Sequence, residues 1–165
     1  ELRNVRIERR HVLAGPVEGV MKRGRGGTTG GFATSALALG CTAGVLKRLA
    51  GEAERRPELV SSCRAFEAER ESLSRDLRNA VAGHGRGRGR HARDEPRVDA
   101  ETIRRRANSL VLRGAQAYLG ASKGAGFVSG HPAERAVREA LFFLVWSCPQ
   151  PVLTAAIKEF ACLND

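Results

Sequence analysis

Residues 124–147, which read GAGFVSGHPAERAVREALFFLVWS, decide the fold of this chain. A glycine-rich turn leads into Pro132, which suits the first position of an α-helix because the N–H that proline lacks is not needed there. Glu134 follows in the first turn, where the helix dipole favours an anion. Small and apolar residues then recur at helical spacing and predict one buried stripe: Ala133, Val137, Ala140 and Leu144. Three aromatic residues widen this stripe, so we expect little of the helix's second half to face water: Phe142, Phe143 and Trp146.

Two glycines, Gly124 and Gly126, stand just before this helix. Because glycine has no Cβ, they allow something to approach the backbone closely. That neighbour is either another helix or a phosphate group, since a helix N-terminus preceded by glycines suits both.

Upstream, a helix is predicted to begin at Asp99, a good N-cap, with Glu101 in its first turn. Its buried stripe is predicted to comprise six residues: Ile103, Ala107, Leu110, Gly114, Ala117 and Ala121. Leu112 and Tyr118 broaden the apolar side, whereas residues 104–106, three consecutive arginines, predict a solvated basic face.

Two further long helices are predicted, one over residues 31–51 and one from about Pro57. The first has a stripe of Phe32, Ala36, Leu39, Ala43, Leu46 and Ala50, with Gly40 and Gly44 close to it for tight helix approach. The second has a stripe of Leu59, Cys63, Phe66, Leu73, Leu77 and Ala80. Arg70 occupies one position of that stripe, where it either reaches outward or pairs with a carboxylate.

After the quoted stretch, Cys148-Pro149-Gln150-Pro151 breaks the chain, and a short fifth helix follows. Its inward residues are predicted to be Leu153, Ala156, Ile157 and Phe160. The sequence therefore predicts an all-α fold over residues 28–165, an antiparallel four-helix bundle with a short C-terminal helix.

Residues 1–27 differ in pattern from the rest and are predicted to be a strand remnant and a basic linker. Residues 2–7 alternate apolar and polar side chains, as in a short half-buried strand, and suggest that a β domain precedes them. Residues 83–97, rich in alternating Gly and Arg, predict a disordered loop. We interpret this segment as a solvated linker, and binding of polyanions by charge is the alternative. It has no interleaved aromatic residues for base stacking, which disfavours nucleic acid as a partner.

The composition of the 165 residues is 42% hydrophobic with a net charge of +10, and only four of the 28 basic residues are lysines. This charge favours anionic partners, or it reflects a GC-rich genome that encodes positive charge as arginine. The four scattered cysteines are interpreted as reduced core residues of an intracellular protein. No run is long and apolar enough to cross a membrane, and we expect a cytoplasmic location.

The quoted stretch also resembles the signature of the last helix pair in the acyl-CoA dehydrogenase family. The resemblance is carried by three elements in order: Gly124-Ala125-Gly126-Phe127, Pro132-Ala133-Glu134-Arg135 and Arg138-Glu139-Ala140. Six residues are similar to the end of the family's β domain: Asn4, Val5, Ile7, Val12, Leu13 and Gly15. The similarity extends over nearly the whole chain.

The resemblance implies a C-terminal four-helix domain of an FAD-dependent oxidoreductase that acts on CH–CH groups of acyl-CoA in fatty-acid metabolism, with the N-terminal domains absent. It also implies a homo-oligomer, either a dimer or a tetramer. The cofactor-binding residues that it implies are Lys123, Gly124, Gly126 and Phe127, which would approach the adenosine diphosphate of FAD in a neighbouring subunit. The family usually has Gly where this chain has Lys123.

The chain departs from the family where the catalytic base is expected. Dehydrogenation between the α and β carbons needs a carboxylate to take the α-proton. Family members place a Glu after the last long helix or near the start of the first, but residues 147–151 and 28–32 contain neither Asp nor Glu. Residue 120 is Gly instead of the expected Gln, and residues 55–59 replace a flavin-binding segment. Glu134 and Glu139 are interpreted as ion-pair partners of Arg138 and Arg135, so no catalytic residue is assigned.

Three functions remain open on this evidence. One is a dehydrogenase-like flavoprotein domain with impaired catalysis, and another is a flavin-dependent monooxygenase or oxidase of the same fold, which needs no such base. The third is a non-catalytic helical module that acts by assembly or polyanion binding.

Overall fold

The computed structural model describes residues 5–12, 18, 31–85 and 98–163. These residues form five α-helices and no strand, so the predicted all-α class is confirmed. The helices are α1 (Phe32–Ala53), α2 (Val60–Gly85), α3 (Ala100–Ser122), α4 (Pro132–Val145) and α5 (Gln150–Phe160). Short 3₁₀ turns occupy Arg9–His11, Pro57–Leu59 and Lys123–Phe127. No helix in the described parts is long and apolar enough to cross a bilayer.

Helix α3 lies at the centre, because it contacts each of the other four helices. It begins as the sequence predicts, with the Asp99 carboxylate accepting a hydrogen bond from the Thr102 N–H at 2.8 Å. Arg106 pairs with Asp76, whereas Arg113, which lies later in α3, pairs with Glu69, which lies earlier in α2. Helix α2 is therefore antiparallel to α3.

Helices α1 and α3 run parallel. A Cβ built on Gly114 would lie 3.8–3.9 Å from the side chains of Leu46 and Val45, and further along Arg56 donates a hydrogen bond to the Ala121 carbonyl. Gly114 therefore sits where the two helices approach each other. Gly40 and Gly44 were expected to allow such an approach, but both are exposed and have no neighbour within 4 Å of a Cβ.

The core has two parts, which share α1, α3 and α4. The first comprises Ala38, Leu39, Leu73, Leu77, Ile103, Ala107, Leu110, Val111, Leu112, Ala115, Ala140 and Phe143. The second lies towards the α3–α4 connection and comprises Val45, Leu46, Leu49, Tyr118, Ala121, Ala133 and Ala136. The predicted α3 stripe is confirmed, with Ala117 half-buried at its edge.

The predicted stripe of α1 is wrong at three of its positions, because Ala36, Ala43 and Ala50 are exposed. The buried face instead includes Thr34, Ser35, Ala38, Thr42, Val45 and Leu49. Helix α1 is small or apolar on most sides, so its periodicity does not select one face. Threonine is also tolerated inside, because the Thr42 hydroxyl donates a hydrogen bond to the Ala38 carbonyl at 2.8 Å.

The expectation that the aromatic second half of α4 is covered is also wrong. Phe143 is buried, but Phe142 is 50% exposed and Trp146 44% exposed, and their rings stack 5.3 Å apart. On α5, Ala156 is buried as predicted, whereas Ile157 and Phe160 are exposed and Val152 takes the inward place. These helices pack through fewer side chains than their apolar content suggests.

Two predictions fall partly on residues that the structure describes. Val5–Ile7 form no strand, since the described residues contain no second strand with which they could pair, and Val5 and Ile7 are exposed. Residues 83–85 belong to α2, so the predicted loop of 83–97 is wrong at its first three positions. The remaining residues of these two predictions, 1–4, 13–17, 19–27 and 86–97, lie outside the described part.

The described cysteines form no disulfide, and they are not all core residues. Cys41, Cys63 and Cys148 are half-buried, whereas Cys162 is exposed beyond the end of α5.

Candidate functional site

The turn Lys123–Phe127, which contains all four predicted cofactor-binding residues, connects the two helices of the motif. Lys123 ends α3 with φ of 52°, and its N–H donates a hydrogen bond to the Gly120 carbonyl. The chain turns here, and the two helices on either side of the turn, α3 and α4, pack against each other.

The two glycines of the turn have different environments. A Cβ on Gly126 would lie 2.7 Å from Leu119 Cδ1 and 3.1 Å from Ser122 Cβ, so Gly126 packs closely on the last turn of α3. Gly124 is exposed and has nothing within 4 Å of a Cβ. Contact with a helix therefore explains Gly126, whereas Gly124 leaves open backbone that a ligand can approach.

The flanking side chains of the turn point to solvent. Phe127 is 76% exposed, and Lys123 is exposed with no ion-pair partner among the residues that the structure describes. The turn therefore presents a cation, open backbone and an aromatic ring together. This combination suits an anion that carries a flat ring system.

Helix α4 begins at Pro132, as predicted, and the preceding residue, His131, caps its N-terminus. The Nδ1 of His131 accepts a hydrogen bond from the Ala133 N–H at 3.1 Å, and the His131 ring lies 6.3 Å from the ring of Tyr118. This histidine cap was not anticipated from the sequence, because histidine is not among the usual N-cap residues.

Two ion pairs of α4 are confirmed as predicted. Glu134 pairs with Arg138, and Glu139 pairs with Arg135 at 2.6 Å, each at i,i+4 spacing. Both carboxylates of the motif are thus held by arginines on their own helix. Neither is placed as a free base.

A second cluster, which the sequence did not reveal, surrounds Arg104. This residue was predicted on a solvated face, but it is 0% exposed. Its Nη2 donates to the Trp146 carbonyl at 3.3 Å, and its guanidinium lies 5.9 Å from the centre of the Phe143 ring. Its Nε and Nη1 are buried without a described partner. Because α3 is covered on several sides, a stripe next to the predicted one is buried as well.

Asn108 and Cys148 continue this cluster. The Asn108 Nδ2 donates to the Phe143 carbonyl at 3.0 Å and lies 3.8 Å from Cys148 Sγ, whereas its Oδ1 has no described partner. Burial lowers the pKa of Arg104 from its usual value, and Cys148 opposes that change. Burial raises the pKa of the Cys148 thiol, which the Arg104 charge partly offsets. The one feature of the sequence that could have indicated this cluster is the i,i+4 spacing of Arg104 and Asn108, which places them on the same face of α3.

A groove of about 440 Å³ lies between α1 and α2. It is lined by Ala43, Leu46, Lys47, Ala50, Cys63, Arg64, Glu67 and Arg70. Ala43 and Ala50, which were predicted to lie in the buried stripe of α1, therefore border an open groove. Arg70 pairs with Glu67, as one of its two predicted roles requires.

In residues 5–12, 31–85 and 98–163, no three His, Cys, Asp or Glu side chains come together as metal ligands. No protein-family model, no curated protein and no solved structure matches this chain.

Proposed function

We propose that the chain is the C-terminal helical domain of a flavin-dependent oxidoreductase that resembles the acyl-CoA dehydrogenases, with Lys123–Phe127 as its contact to FAD. The observation that carries this proposal is the position of the motif. Its Gly-x-Gly-aromatic element coincides with an exposed turn, and its Pro-x-Glu-Arg element begins the next helix at Pro132. The helix directions are compatible with the proposed antiparallel four-helix bundle.

The chemistry of the turn supports a dinucleotide phosphate as the ligand. Lys123 provides a positive charge, Gly124 leaves the backbone accessible, and Phe127 provides an exposed ring. His131 caps α4, so the phosphate would be bound by the turn itself and not by the helix end. FAD would supply the hydride acceptor, and this domain would bind and orient it.

The described carboxylates favour an oxidase or monooxygenase over a dehydrogenase within the same fold. Glu134 and Glu139 are paired with arginines, and the connection from α4 to α5 contains no carboxylate. A base for the α-proton of an acyl-CoA is therefore not provided by these residues, whereas the resemblance to the family also implies monooxygenases and oxidases of this fold that need no such base.

A direct test is a titration of the chain with FAD, read as quenching of flavin fluorescence. We expect saturable binding that Lys123→Ala weakens several-fold. Lys47→Ala is the matched control, because it removes the same charge from an exposed position on α1. Binding that is unaffected by Lys123→Ala, or that is lost with Lys47→Ala, would place the flavin elsewhere and refute the assignment of the turn.

A second candidate function, assembly without catalysis, is favoured by the exposed apolar side chains of α4 and of Trp146, which directly follows it. Leu141, Phe142, Val145 and Trp146 are all at least 44% exposed. Contiguous apolar side chains of this kind are typical of surfaces that another protein covers. Homo-oligomerisation is proposed on this basis for either function.

The mass in solution tests assembly separately from flavin binding. We expect Phe142→Ser to shift the chain towards the monomer in light scattering, while Val81→Ser on α2 changes nothing, although Val81 is 48% exposed. A chain that is monomeric throughout would rule out self-assembly through α4.

A further inference from the structure

The guanidinium of Arg104 is a buried charge without a described counter-ion. The described carboxylates nearest to it in the sequence are used elsewhere, since Asp99 accepts from Thr102 and Glu101 is exposed. The carboxylates of α2 and α5 that reach α3 form ion pairs with Arg106 and Arg113 instead. A buried ion left unpaired is costly, and the nearby Phe143 ring compensates only part of that cost.

The hydrogen bonds of Arg104 are also incomplete. Of its five N–H groups, those on Nε and Nη1 have no described acceptor, and the one bond to the Trp146 carbonyl is long, at 3.3 Å. The Ser35 hydroxyl, also 0% exposed, has no partner among the described residues either. Val45 of α1 lies beside Gly114 of α3, and these two helices run parallel. Ser35 is ten residues before Val45, and Arg104 is ten residues before Gly114, so both lie at the same end of the molecule.

We infer that the Nε and Nη1 groups of Arg104, which have no described partner, form a buried site for a monovalent carboxylate at the Ser35 end of α1. A water molecule would satisfy hydrogen bonds but would leave the charge uncompensated. A carboxylate supplies both acceptors and a negative charge, and guanidinium–carboxylate geometry is especially favourable. A monoanion is favoured over a dianion, because one buried cation balances one charge and a second would remain unpaired in an apolar surrounding.

The site is independent of the proposed flavin contact, since Lys123–Phe127 lies at the opposite end of α3. The fluorescence of Trp146 can report on this site. Trp146 is the single tryptophan of the chain, and its own carbonyl accepts the Arg104 hydrogen bond. Carboxylate binding beside Arg104 therefore changes the surroundings of the indole.

The experiment replaces chloride by acetate at constant ionic strength and pH, and follows Trp146 emission and the thermal midpoint of the intact chain. We expect a saturable emission change and, at ten times the dissociation constant, a midpoint rise of about 3–6 °C. Sulfate, the dianion, should produce a smaller emission change that does not saturate in the same range.

Arg105→Met is the matched control, because Arg105 is the exposed neighbour of Arg104 on the same helix. We expect this variant to retain the acetate response and Arg104→Met to lose it. Arg104→Lys, which keeps the charge with a different donor geometry, should bind acetate at least several-fold more weakly and serves if the Met variant does not fold. An unresponsive wild type, or an equal response in the Arg104 variants, would overturn the site and leave buried water as the partner of Arg104.

Discussion

Replacing Gly126 by alanine tests whether the turn Lys123–Phe127 is held by packing on α3. The new Cβ would lie 2.7 Å from Leu119 Cδ1, 3.1 Å from Ser122 Cβ and 3.3 Å from the Leu119 carbonyl oxygen. The leucine methyl is the end of a flexible side chain and can move aside. The other two atoms, Ser122 Cβ and the Leu119 carbonyl oxygen, are fixed by the backbone of α3. The segment Lys123–Phe127 must therefore shift by a few tenths of an ångström.

The size of the effect follows from two opposing contributions. Overpacking of this kind costs about 1–3 kcal/mol. Gly126 has no positive φ, so alanine also restricts the unfolded chain and returns about 0.4–1 kcal/mol. We therefore expect Gly126→Ala to lower the free energy of unfolding by about 1–2 kcal/mol and the thermal midpoint by about 2–8 °C.

Gly124→Ala is the matched control in the same turn. Nothing lies within 4 Å of its Cβ, so we expect unchanged or slightly higher stability. The added methyl would nevertheless occupy the space through which the proposed dinucleotide approaches, so FAD affinity should fall. Thermal unfolding by circular dichroism and the FAD titration measure the two effects separately. A Gly126→Ala variant as stable as the wild type, or a Gly124→Ala variant equally destabilised, would refute the packing argument.

Three further predictions concern the helices and the turn. Asp99→Ala should lower stability by about 1 kcal/mol through loss of the N-cap of α3. Because hydrogen bonds from Thr102 lower the pKa of Asp99, this contribution is present at neutral pH and should disappear in acid as the carboxylate is protonated, which urea unfolding at several pH values measures. Leu73→Ala should cost about 2–5 kcal/mol in urea unfolding because Leu73 is fully buried, whereas Val81→Ala should change stability by no more than about 0.5 kcal/mol. Phe127→Ser should leave the thermal midpoint unchanged, since the ring is exposed, but should weaken FAD binding if the ring contacts the nucleotide; equal affinity would exclude that contact.

The sequence was sufficient where a local signal acts within one helix. Asp99 and Pro132 begin their helices as predicted, because a cap and a fixed φ need only neighbouring residues. The ion pairs of α4 were predictable for the same reason, since residues four apart lie on one face. The sequence did not predict that Gly124 is exposed whereas Gly126 packs against α3, because both glycines have the same local sequence signal.

The sequence by itself determined that the described part of this chain is helical, where most of its helices begin, and which residues form the main buried stripe of α3. Only the tertiary structure decided which sides of α1, α4 and α5 are covered, because these helices are apolar on more sides than their neighbours can cover. It also decided that Arg104 is buried. An arginine beside a predicted stripe normally faces water, but α3 contacts four helices, and the position of those helices depends on the whole chain.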